Sequence, residues 1–415
     1  MIKLQEHGII KDVFQQAERL EHLSLVSWEK HVNKETKRDV WGYYASYKIG
    51  AEWIDDHEAL VVTTKRNMEN IDFLGMFMTC FSSDLAVESF SEIYSISSEA
   101  PAIEAPSLKG VISPLIVLHF LGVVSRIKSL KKGYVHHSEN IKKVKGRISI
   151  LKNERTNVIL KRYDRIYCDY DEYSVDIPEN RILKKALLFS QRMLSGMKAH
   201  HSYPTIQQKL AKSLAMFENV SSDVEIRDIK FIKSHKLFRD YAESIRLAKQ
   251  VLGYFDYSIS KVSSTDNRVV PFVLDMSLLY EHYVYGLLYE AYHEKIMYQF
   301  NGETGYPDFL YCSNRFKAIL DTKYIPKYKD ERLETYVIRQ LSGYSRDLPI
   351  LRRLGYVSVA EESPIPTVPC VIIYPTESAK GGNPFLGTPL QMLCTNRERN
   401  LSHFYKIEIP LPVMG

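Results

Sequence analysis

Tyr306-Pro307-Asp308-Phe309, followed after a polar turn by Ala318-Ile319-Leu320-Asp321-Thr322-Lys323-Tyr324, decides how this chain is read. Asp321 and Lys323 stand two apart on an expected strand, so both side chains project from one face. Three apolar residues, Ala318 to Leu320, precede Asp321, the pattern of a buried strand that delivers polar groups at its end. Cys312, Ser313, Asn314 and Arg315 form a turn, and a hairpin there brings Asp308 beside Asp321. Two such carboxylates are hard oxygen ligands for Mg²⁺, with waters and a phosphate oxygen completing the octahedron. The backbone carbonyl of Thr322 is available as a further ligand. A metal so held lowers the pKa of a bound water, and a neighbouring lysine positions that water or stabilises the transition state. These are the requirements of phosphodiester hydrolysis.

A bare D-x-K is weak, and Asp228-Ile229-Lys230 and Glu35-Thr36-Lys37 repeat the pattern elsewhere. The surroundings distinguish the Asp321 copy. Upstream, a helix expected over Leu274–Tyr292 has an apolar face of Leu279, Tyr280, Tyr283, Val284 and Leu287, with Glu281 at its edge. Glu281 either reaches the metal cluster as a third carboxylate or is an ordinary surface residue. Downstream, Gln340 and Tyr344 lie four apart on a helix expected over Arg332–Ser345, hence on one face. Gln340 there is available for a phosphate or a base edge.

Taken together, Glu281, Asp308, Asp321-x-Lys323 and Gln340-x-x-x-Tyr344 resemble the PD-(D/E)xK nuclease superfamily. The Gln-x-x-x-Tyr pair is similar to its RecB-type branch. Lys145-Gly146-Arg147-Ile148, and then the run from Cys168-Asp169-Tyr170-Asp171-Glu172-Tyr173 through Ile177-Pro178-Glu179-Asn180-Arg181-Ile182-Leu183-Lys184, resemble the McrC family. That resemblance implies the nuclease subunit of a modification-dependent restriction system of 5-methylcytosine type, cutting double-stranded DNA with Mg²⁺. It implies a McrB-like AAA+ GTPase as partner, on which the N-terminal part docks and which it stimulates, within a higher-order complex. LlaJI-type systems use similar subunits with another target rule. Two other readings remain: a regulatory subunit that does not cut, and a stand-alone RecB-like repair nuclease.

The rest of the sequence frames the site. A chain of 415 residues with 45% hydrophobic and 25% charged residues has an ordinary globular balance, and helices alternating with short apolar strands after residue 268 argue for an α/β unit in a chain that is α+β overall. A net charge of +5 permits nucleic-acid binding without proving it. Basic clusters at Arg126, Lys128, Lys131, Lys132 and at Lys142, Lys143, Lys145, Arg147 are candidates for DNA phosphates or an acidic partner. Residues 1–176 are expected to form a β-rich partner-docking domain, 177–262 a helical connecting region, and 263–415 the PD-(D/E)xK nuclease core. In the first, Arg147–Leu151 and Val158–Tyr167 read as a long hairpin with a charged tip at Lys152–Asn157. Asp169, Asp171, Glu172 and Asp176 read as a turn and helix cap, with Arg181 pairing one of the acids. Ser258–Arg268 reads as a loop, and Tyr356–Ala360 as a strand. The loop Gly381–Thr388 lacks the lysine of a phosphate loop, so no nucleotide is expected on this chain and GTP belongs to the partner. The five cysteines are unpaired in pattern, the N-terminus has no apolar leader, and the apolar run Val111–Val124 is too short to span a bilayer. A cytoplasmic protein without membrane contact is expected.

Overall fold

The computed structural model describes the chain except residues 11–16, 33–38, 66–67, 69, 82–91, 98–99, 196–202, 226–238, 262–266, 330, 357–366, 377–381 and 414–415. Two compact units emerge: Met1–Leu118 together with Val262–Gly415, and His119–Lys261. Helices and strands both contribute throughout, as an α+β fold requires.

The hairpin forms where the sequence places it. Strands Phe309–Cys312 and Lys317–Thr322 pair antiparallel with Phe309 opposite Leu320. Lys317–Thr322 then pairs parallel with Cys370–Thr376, Asp321 opposite Ile372. These strands lie inside a six-stranded sheet that runs, edge to edge, Ile296–Tyr298, Phe309–Cys312, Lys317–Thr322, Cys370–Thr376, Phe404–Pro410 and Asn396–Arg397. Parallel central strands are covered on both faces and read as continuous apolar runs, and Cys370–Thr376 is buried at every position. Helices Thr335–Tyr344 and Leu348–Arg353 pack Val337, Leu341, Tyr344, Ile350 and Leu351 against Leu310, Ile319 and Ile372 on one face. The opposite face, reached by the alternate residue Phe309, meets helix Met276–Tyr292, where Tyr285 stacks on Phe309 at 5.9 Å. Asp275 caps that helix by accepting from the backbone N–H groups of Ser277 and Leu278.

The strand just before this helix, Phe272–Asp275, belongs to a different sheet, built otherwise from N-terminal chain. It sits between Lys48–Trp53 and Tyr94–Ile96 in a five-stranded sheet completed by Ile2–Gln5 and Ala59–Thr63. Helix Phe73–Cys80 crosses helix Met276–Tyr292 at Gly286, where a Cβ would lie 2.2 Å from the Thr79 carbonyl oxygen. Residues 106–124 are long and apolar enough to cross a membrane by composition alone. Their helix, Ile112–Val124, is almost wholly buried within the protein.

In the second unit the expected hairpin is replaced. Ile166–Ser174 pairs instead with Gly133–Ile141, from Ile166 opposite Ile141 to Ser174 opposite Gly133. Only Arg147–Ile148 adds to the other edge. Residues 150–153 form an α-helical turn and 154–158 a π-helical turn. The reason is a net of side-chain amides: Asn157 Nδ2 donates to Asn140 Oδ1 (2.8 Å) and Asn153 Oδ1 (2.7 Å), and Asn153 Oδ1 also accepts the Tyr167 N–H (3.0 Å). Such local bonds offer the backbone an alternative to a ladder. Asp169, Asp171 and Glu172 therefore lie on a strand rather than in a turn.

Helix Pro178–Leu194 starts after Ile177 without a side-chain cap, so Asp176 is not its cap. Its carboxylate instead accepts from Arg181 Nε and Nη2 (both 2.8 Å) and from the Ser221 N–H (2.8 Å), which gives Arg181 its acidic partner. Helices Tyr203–Met216 and Arg239–Lys261 complete this unit, and the second occupies the start of the stretch read as a loop at Ser258. The strand expected at Tyr356–Ala360 falls outside the described residues beyond Tyr356.

The contact at Gly286 leaves no room for a methyl group. Gly286→Ala is expected to cost about 1–3 kcal/mol, read as a lower denaturant midpoint with an unchanged slope. A midpoint equal to wild type would contradict the close helix crossing.

Candidate active site

Asp321 is fully buried at the end of its strand and ion-pairs with Lys323, whose side chain keeps 18% of its exposure. Asp308 precedes Phe309, so continuing the hairpin register by one step sets it opposite Asp321. Asp308 Oδ2 accepts from the Thr322 N–H (2.6 Å) and from Thr322 Oγ1 (2.5 Å). The hydroxyl of Thr322 thus orients Asp308, a role the sequence pattern does not reveal.

Glu281, on helix Met276–Tyr292, is buried and belongs to the cluster: both Asp308 and Asp321 act on its charge. Its Oε1 accepts from Gln299 Nε2 (3.0 Å), while the Gln299 N–H donates to the Asp308 carbonyl (2.9 Å). Gln299 therefore ties the helix carboxylate to the hairpin. It does so from a positive φ of 45°, and no motif marks it. Gln340 Nε2 donates to the Tyr344 hydroxyl (2.9 Å), which donates to the Tyr306 carbonyl (3.1 Å). The pair pins the backbone that leads into Pro307-Asp308. Tyr344 fits because Gly305, at φ +131°, has no side chain where the ring passes. The other two copies of the pattern, Glu35 to Lys37 and Asp228 to Lys230, lie outside the described residues.

Burial and mutual repulsion set the electrostatics. Burial, then Asp308, push the Asp321 carboxyl up to about 7 against the pull of Lys323. Burial, then Asp308, push Glu281 up to about 8. Burial also raises Asp308, opposed by Lys323 and Thr322. For Lys323 burial works downward, but Asp321 and Asp308 outweigh it and the ammonium is held more firmly than usual.

Among the described residues no three His, Cys, Asp or Glu side chains form a ready-made metal cage. What the site offers is narrower. Asp321 Oδ1 is buried with no hydrogen-bond partner among the described residues. A buried acceptor left unsatisfied is costly and points to a missing ligand. With Asp308 alongside and Lys323 already drawn to the same carboxylate, the donors are those a hard cation takes. Mg²⁺ commonly keeps several waters and binds through one or two carboxylates, so two aspartates are sufficient.

Residues 99–345, more than half of the chain, match the family described as "McrBC 5-methylcytosine restriction system component". No curated protein matches. Among solved structures, the chain is similar to one in a half-complex from a tetradecameric assembly of Thermococcus gammatolerans McrB AAA+ hexamers with bound McrC. The identity is 14% and the TM-score 0.38, over 100% of this chain and 95% of that one. A second similar chain is in the Thermococcus gammatolerans McrBC complex, at 13% identity and TM-score 0.31, over 69% of this chain and 86% of that one.

A raised carboxyl pKa means that the folded state favours the protonated form. The stability this gives is full below about pH 4 and is lost as pH rises through about 7 for Asp321. Without divalent metal, Asp321→Asn is therefore expected to gain stability relative to wild type as pH rises from 4 to 8. The gain should reach a few kcal/mol. Melting temperatures of the two proteins across this range measure it, and a difference that stays flat would contradict the buried charge cluster.

Proposed function

The chain belongs to the family of McrBC 5-methylcytosine restriction system components, and from that premise we propose that it is the cutting subunit. In this reading it is a Mg²⁺-dependent endonuclease of double-stranded, 5-methylcytosine-containing DNA. It acts in the cytoplasm with a GTP-hydrolysing AAA+ partner of McrB type. The observation that carries the reading is the gathering of Asp308, Asp321 and Glu281, with Lys323 paired to Asp321 and Asp321 Oδ1 buried and unpartnered among the described residues.

Asp308, Asp321 and the Thr322 carbonyl would hold the metal, which when bound supplies Lewis acidity and an acidified water. Lys323, kept protonated by its two aspartates, orients the attacking water and offsets charge on the phosphate. Glu281, buried beside both aspartates, is the carboxyl group placed to orient the metal's water shell. Thr322, Gln299 and the Gln340–Tyr344 pair fix these groups, so their geometry is set before substrate arrives.

Support for a protein partner comes from the second unit. Its turn region exposes Ile150 (74%), Leu151 (71%), Ile159 (67%), Leu160 (56%) and Tyr163 (77%). A clustered apolar surface of this kind marks an interaction site, and the AAA+ ring is the partner assigned to it. One such active site cuts one strand at a time, so a double-strand break calls for an assembly holding two.

The test combines purified chain, its AAA+ partner, GTP, Mg²⁺ and methylated plasmid. Asp321→Ala is expected to lower cleavage at least ~100-fold while leaving stimulation of partner GTP hydrolysis intact. Ile150→Asp with Leu151→Asp is expected to abolish that stimulation. Full cleavage by Asp321→Ala would overturn the assignment of the site.

A further inference from the structure

Strand Ile2–Gln5 runs parallel to Ala59–Thr63, with Gln5 opposite Thr63. The two strands leave the sheet together, and the Glu6 N–H donates to the Thr63 carbonyl (2.9 Å). Beyond them Glu6 Oε2 accepts the Lys65 N–H (3.1 Å). Glu6 is buried, and its carboxylate fixes where the Lys65 backbone can lie. From there the Lys65 side chain reaches across to the catalytic strand. Its Nζ donates to the Tyr324 carbonyl (3.0 Å), one residue past Lys323. It also lies over the Tyr324 ring at 4.0 Å and the Tyr47 ring at 5.0 Å. Held between two aromatic faces and a carbonyl, a lysine ammonium is worth more than at an exposed site.

The rings are themselves braced. His7 packs edge-on against Tyr47 at 4.7 Å, and Tyr47 lies 6.4 Å from Tyr324. Tyr324 contacts Tyr280, the neighbour of Glu281, at 5.8 Å. The Tyr47 carbonyl accepts the Met276 N–H (2.8 Å) at the first residue of the Glu281 helix. The same small group of N-terminal residues thus holds both the exit of the Asp321 strand and the start of the Glu281 helix.

We propose that Lys65, seated by Glu6 and flanked by Tyr47, is a positioning residue of the nuclease. It clamps the chain immediately after Lys323 and keeps Lys323 and Asp321 in register with Glu281. Glu6, Tyr47 and Lys65 are then a working part of the cutting site. The inference rests on the nuclease reading above, and it places a determinant of the chemistry 259 residues away in sequence from the strand exit it holds.

The experiment measures steady-state cleavage of methylated plasmid by the full chain with its AAA+ partner, GTP and Mg²⁺, alongside partner GTP hydrolysis. Lys65→Met keeps the stem and removes the ammonium. A shift of the positioned groups by ~1 Å should lower kcat about 10- to 100-fold with KM changed less than about twofold. Stimulation of GTP hydrolysis should be unchanged. Lys65→Arg, which retains a donor and a cation on the rings, should recover most of the loss. Wild-type kcat in Lys65→Met overturns the proposal, and so does a loss that Lys65→Arg fails to recover. If Lys65→Met shows no cooperative melting, Tyr47→Leu decides: reduced kcat supports the clamp, and unchanged kcat overturns it. Asp321→Ala run in parallel separates the two levels. An inactive Asp321→Ala beside a fully active Lys65→Met removes the clamp alone, whereas an active Asp321→Ala removes the nuclease site and the clamp with it.

Discussion

Burying the carboxylate of Asp321 is the constraint around which this protein is arranged. Taking such a group out of water costs several kcal/mol unless charge and hydrogen bonds replace the solvent. Lys323 supplies the charge for one oxygen and keeps partial access to solvent. The other oxygen has no partner among the described residues. Asp308 increases the strain, because a second carboxylate opposite the first disfavours the ionised form of Asp321. On the proposed reading, a site built this way is unfavourable when empty and would gain most from a divalent cation.

The surrounding architecture holds the strain in place. The hairpin and the parallel strand Cys370–Thr376 fix the Asp321 strand on both sides through backbone ladders. Tyr344 and Gln340 fix the segment entering Asp308, and Gln299 links Glu281 to that segment. The Glu281 helix is fixed at its start by Asp275 and the Tyr47 carbonyl, and midway by its crossing with helix Phe73–Cys80 at Gly286. Support therefore comes from N-terminal chain as well as from the C-terminal sheet, and both lie in one compact unit.

The hairpin and its three polar residues were legible because strand alternation and a short turn are local properties. Asp308, Asp321 and Lys323 follow from a two-residue period, and Gln340 and Tyr344 from a four-residue one. Non-local partnerships were not legible. No pattern around Phe272 signals that it pairs with Lys48–Trp53, and none around Gln299 signals that it will meet Glu281. The turn region at 147–163 departs from its strand-like composition for another reason. Its β-branched and apolar residues have strand composition, yet they remain exposed, and the Asn140, Asn153 and Asn157 amides decide the backbone instead.

On the proposed reading, this cluster is a cation site. Calorimetric titration of Mn²⁺ into the full chain at pH 8, against the Asp308→Asn, Asp321→Asn double variant, tests it most directly. Saturable binding to wild type and none above background to the variant are expected. Equal binding by the two proteins, or no binding by either, would contradict it.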